Sequence, residues 1–104
     1  MIPISLNFLK GKTLATLDRK ANFDILNVDE GGIDIFLHST KKGRHIAPRD
    51  IEESWAHLVT TGKLPLTYIM HVVNTQSSSY ISAILTQVEG VTYELKPITL
   101  KYRR

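Results

Sequence analysis

The sequence predicts an α+β fold in a single domain, 1–104: a small antiparallel β-meander, then three helices, then a C-terminal strand or hairpin. Three observations predict it. Ile33, Ile35 and Leu37 alternate with Asp34, Phe36 and His38, the period of a half-buried strand. Ile51, Trp55, Leu58 and Val59 instead recur at i, i+4, i+7 and i+8, the stripe of an amphipathic helix. Glycines and prolines punctuate the chain where one period gives way to the next.

The strands come first. "KTLATL" (12–17) is followed by the polar turn "DRKA", and "NFDILNV" (22–28) has β-branched and aromatic content. "DEGG" (29–32) gives a tight turn, since glycine takes positive φ without steric cost. After the 33–38 strand, "STKKGR" (39–44) reads as a second turn and "HIA" (45–47) as a short fourth strand.

The helices follow. "PRDIEESWAHLVTTGK" (48–63) opens with proline, and Asp50, Glu52 and Glu53 suit the positive end of its dipole. Gly62 is a natural stop. "PLTYIMHVV" (65–73) places Leu66, Ile69, Met70 and Val73 on one side, and "NTQSS" interrupts it. "SYISAILTQVEG" (79–90) resumes with Ile81, Ile84, Leu85 and Val88 on one face. Trp55 is expected to be a core anchor packed with Leu58, Ile69 and Leu85. "VTYEL" and "ITLKYRR" are strands separated by a turn or bulge at Pro97, because proline donates nothing to a ladder.

Composition bounds the function. Net charge is +3 and the isoelectric point is near 9.3, which permits nucleic-acid binding without requiring it. There is no cysteine, hence no disulfide framework or thiolate chemistry. No apolar run is long enough to span a bilayer, and the N-terminus lacks the pattern of a signal peptide. A cytoplasmic protein with no membrane association is expected.

The densest charge feature is "STKKGRHIAPR", with Lys41, Lys42, Arg44, His45 and Arg49. On a hairpin tip these side chains suit neutralisation of phosphates. The bland alternative is a solvated turn whose lysines keep a sheet edge from aggregating. Arg49 and Glu53, at i and i+4, are placed to pair.

The second feature is the serine run. Three helices followed by a strand pair is the order of a winged helix-turn-helix, in which the third helix meets the nucleic acid with its N-terminal residues. Gln76, Ser77, Ser78 and Ser79 stand at that start, with Ser78 as the expected N-cap. Opposite the apolar stripe, Ser79, Ser82, Ala83 and Thr86 form a small, hydrogen-bonding face. That face equally suits close helix packing. The helix also lacks any Arg, Lys or Asn before Gln87, residues commonly used to read bases.

The pattern "FDILNV…IDIFLHSTKKGRHI…DIEESWAHLVTTGKL…SSSYISAIL…GVTYEL" resembles small, poorly characterised prokaryotic winged-helix-like domains found in genes of mobile elements and cassettes. The resemblance implies a strand meander joined to a winged-helix-like helical part, and it carries over no catalytic residue.

No catalytic set is visible. His38, His45, His57 and His71 match no metal-ligand spacing, and neither glycine-rich turn fits a phosphate loop. Asp29 and Glu30 read as turn residues rather than a nuclease pair. No cofactor or metal is expected. The leading expectation is a non-enzymatic module for DNA or RNA, using the basic hairpin and the serine-rich helix start. The rival is a protein-interaction module or a homodimeric accessory protein of a mobile element.

Overall fold

A computed structural model describes residues 6–102. Arg103 and Arg104, the last two of the chain's basic residues, lie outside that range, as do the first residues of the N-terminus. After a short 3-10 turn at Asn7–Leu9 come β1 (Thr13–Ala15), β2 (Asn22–Asp29), β3 (Gly32–Leu37) and β4 (Lys42–Ile46). They form one antiparallel meander in the order β1-β2-β3-β4. The expected α+β architecture is therefore present.

Alternation along β2, β3 and β4 sends Phe23, Ile25, Ile33, Ile35, Leu37 and Ile46 into the core. The β2–β3 hairpin closes at Glu30–Gly31, with Asp29 opposite Gly32. Gly32 has φ +120°, and a Cβ there would meet the Ile46 carbonyl oxygen at 2.2 Å. No residue with a side chain fits that position without moving β4.

Helix α1 (Pro48–Thr61) begins on proline and stops at Gly62, whose left-handed conformation (φ 82°) lets its N–H reach the Leu58 carbonyl. A short strand that the sequence does not announce follows, β5 (Lys63–Pro65). Helix α2 is one turn, Leu66–Tyr68, that widens into a π-helical turn over Ile69–Val73. Helix α3 spans Ser78–Leu85. The chain ends in the hairpin β6 (Val91–Glu94) and β7 (Thr99–Tyr102), with the expected turn around Pro97. β5 joins this hairpin to make a second sheet, β5-β7-β6.

The core lies between the inner face of the first sheet, the three helices, and Leu64 and Leu100 of the second sheet. Trp55 is buried as expected, at 7% exposure. Its ring partner is Tyr102, edge-to-face at 5.2 Å, so it ties α1 to the second sheet. Helix α3 is the central element. Ile81, Ser82, Ala83, Ile84 and Leu85 are each at most 1% exposed. Of the two uses open to the small face, ligand contact and close packing, Ser82 and Ala83 serve packing. Hydrophobic periodicity cannot reveal this, because small polar residues enter a core wherever a helix is surrounded.

Candidate nucleic-acid interface

The basic segment folds differently from the expected hairpin tip. The turn after β3 is shorter than 39–44, and Lys42, Gly43 and Arg44 belong to β4, at the edge of the sheet. Strand alternation then divides the cluster. Arg44 opposes Ile35 and Lys42 opposes Leu37, both inward-facing residues, so Lys42 and Arg44 lean toward the helical side. His45 opposes Asp34 on the other face, and its Nδ1 lies 2.6 Å from Asp34 Oδ1.

Lys41 precedes the strand in a left-handed conformation (φ 56°) and is exposed, as is Lys42. Arg49 is exposed in the first turn of α1. No ion pair joins it to Glu53 among the described residues, so its charge is left free of that partner.

Arg44 joins the basic edge to the start of α3. Its Nη1 donates to the Gln76 carbonyl at 3.4 Å, and its guanidinium carbon lies 5.6 Å from the centroid of the Tyr80 ring. Tyr80 in turn packs edge-to-face on Phe23 of β2 at 5.2 Å. The two segments singled out from the sequence therefore meet, and one half-buried arginine holds them together.

The serines behave otherwise than expected. The N-cap position is Ser77, and no side-chain hydroxyl caps the helix. Ser77 and Ser78 are each 3% exposed, which leaves Gln76 exposed and Ser79 half-buried as the solvent-facing members of the run. Ser78 Oγ donates backwards to the Thr75 carbonyl, and Ser82 Oγ to that of Ser79. The turn is organised by Asn74 instead. Its Oδ1 accepts from the backbone N–H of Gln76 (3.0 Å) and Ser77 (3.1 Å), and its Nδ2 donates to buried Asp50 at 3.0 Å. Asn74 thereby ties the start of α1 to the start of α3. The Asn in "VNTQSS" was the available signal, since asparagine side chains commonly form such turns.

Around this surface, electrostatics favour a lopsided charge. The Asp34 hydrogen bond holds the His45 pKa above its ordinary value, with the Gly31 carbonyl and the Asp29 charge adding smaller contributions. On the same outer face, Thr13 donates to Asp24 at 2.5 Å and His38 bonds it at 2.9 Å; these contacts hold the Asp24 carboxyl below its usual range, Thr13 contributing most. Both histidines on that face are thus matched with carboxylates, whereas among the described residues no ion pair joins Lys41, Lys42 or Arg49 to a carboxylate. Among the described residues no group of three His, Asp or Glu is placed to hold a metal ion. No helix of the structure is long and apolar enough to cross a membrane. No family model, curated protein or solved structure matches the chain.

Proposed function

We propose that this protein is a small non-enzymatic module that binds nucleic acid through its phosphate backbone, along the β4 edge and the first turn of α1. Lys41, Lys42 and Arg49 supply exposed charge. Gln76 and Ser79 supply neutral donors beside them, while Ser77 and Ser78 serve the packing of α3. The observation that supports the reading is the Arg44 bridge to Gln76 and Tyr80, which brings the β4 edge to the start of α3. Burial of α3 argues against a helix inserted into the major groove, so binding would follow charge and shape rather than base sequence. Fluorescence anisotropy with mixed-sequence duplex DNA, single-stranded DNA and RNA over a salt series tests it. The reading expects binding that weakens steeply with salt.

A second reading is a protein-interaction module, in keeping with an accessory role in a mobile element. The free strand edges of both sheets favour it.

A further inference from the structure

The four outer strands of the two sheets are not protected alike. Within the strands themselves, β4 carries Lys42, and β5 carries Lys63 and Pro65. Such residues discourage pairing with another chain. β1 (Thr-Leu-Ala) and the first three residues of β6 (Val-Thr-Tyr) carry none. These two unguarded strands flank one open groove of about 450 Å³, with Thr86 and Gln87 at the end of α3 also lining it. The volume lies in the range of ordinary ligand sites, ~300–1,000 Å³.

Ladder geometry shows which backbone groups face into the groove. Ile25 N–H bonds the Lys12 carbonyl and Thr16 N–H bonds the Ala21 carbonyl, so the even-numbered residues of β1 point their peptide groups at β2. Ala15, which lines the groove, points its peptide groups outward, and Leu17 lines it from the turn that follows the strand. On the other wall, Tyr102 N–H bonds Gly62 and Leu66 N–H bonds Ile98, which turns Leu100 toward β5 and leaves Lys101 and Thr99 for β6. Thr92 and Glu94 therefore bond β7, and Tyr93 presents its peptide groups to the groove. No backbone hydrogen bond occupies the Ala15 or Tyr93 groups on this side among the described residues. Lys20 is the one charged residue among those lining the groove, and no carboxylate answers it there.

We propose that this groove takes an extended peptide segment of a partner protein, which adds a strand along the free edges of β1 and β6 and places a carboxylate, from a side chain or a chain terminus, on Lys20. Strand addition supplies main-chain hydrogen bonds, and the Lys20 charge selects acidic segments. β1 and β4 are opposite edges of the first sheet, so this surface is separate from the basic one and leaves it free.

A library of random peptides displayed with free C-termini and panned on the full chain tests the proposal. Enriched peptides should combine alternating β-branched residues with an acidic group. They should slow hydrogen exchange at the Ala15 and Tyr93 amides, and bind Lys20→Glu at least tenfold more weakly. Binding to Lys41→Ala/Lys42→Ala should be unchanged. Tyr93→Pro blocks one edge at a position whose N–H is not used in the ladder; a thermal melt shows whether that variant is folded, and Lys20→Glu carries the test if it is not. No enrichment, exchange protection elsewhere, equal binding to Lys20→Glu, or a concentration-dependent dimer that occupies the same amides would overturn it.

Discussion

Arg44 on the edge strand β4 donates to the carbonyl of Gln76, 32 residues later in the chain, at 3.4 Å. It also covers Tyr80, which rests on Phe23. Its role is thus to position as well as to supply charge. Arg44→Ala should cost about 1–2 kcal/mol of stability, the sum of a modest charge-assisted hydrogen bond and a cation–π contact. Arg44→Lys should recover only part, because an ammonium cannot lie flat on the ring while reaching the carbonyl. Urea denaturation of the two variants measures this; identical midpoints would show that the bridge contributes nothing.

Asn74 makes three hydrogen bonds that link α1 to α3. Asn74→Ala removes an Asx turn and strands the buried Asp50 carboxylate, at a cost of about 2 kcal/mol or more. Ser77→Ala should change stability far less, since the Ser77 hydroxyl caps nothing. Thermal melts of the pair rank the two; a larger loss for Ser77→Ala would mean that the serine is the true organiser of the turn.

Trp55→Ala should cost roughly 3–5 kcal/mol, the usual toll of emptying a large buried aromatic site. Because its ring meets Tyr102, the damage should register first in β7. Hydrogen exchange at the Leu100 and Tyr102 amides gives that readout, and a loss spread evenly over all helices would contradict it.

The His45–Asp34 pair makes stability depend on pH in a definite direction. The His45 pKa is raised in the folded state, chiefly by the Asp34 hydrogen bond. Protonated His45 therefore favours the native chain, and the stabilisation is fully present below the ordinary histidine value of 6.5. It is lost as pH rises through the elevated folded value. Imidazole chemical shifts followed against pH should place His45 above 6.5, and Asp34→Asn should bring it back down.

The alternating and helical stripes were legible because Ile33, Ile35, Leu37 and Ile51, Trp55, Leu58 each bury one face against a shared core. β4 was legible only at His45 and Ile46. Its first residues, Lys-Lys-adjacent and glycine-bearing, read as a turn because an edge strand needs no apolar alternation on its solvent side. β5 was invisible: Lys-Leu-Pro is too short for any period, and only its pairing with β7 defines it. The site was half-legible. The basic segment and the serine run were both singled out, but their junction through Arg44 and Tyr80 is a tertiary contact that neither stretch encodes alone. Burial of Ser77, Ser78 and Ser82 likewise depends on what surrounds α3 rather than on α3 itself.

The most direct test of the central claim is the salt dependence of binding to mixed-sequence duplex DNA, measured for the native chain and for Lys41→Ala/Lys42→Ala/Arg49→Ala. Those three changes leave Arg44, and with it the local fold, in place. The native chain should bind at low salt, with log K falling linearly against log salt. The triple variant should bind more weakly, with a slope shallower by up to about 0.9 for each phosphate contact removed. Absence of binding at low salt, or the same affinity and slope for both proteins, would contradict a phosphate-binding surface on β4 and α1.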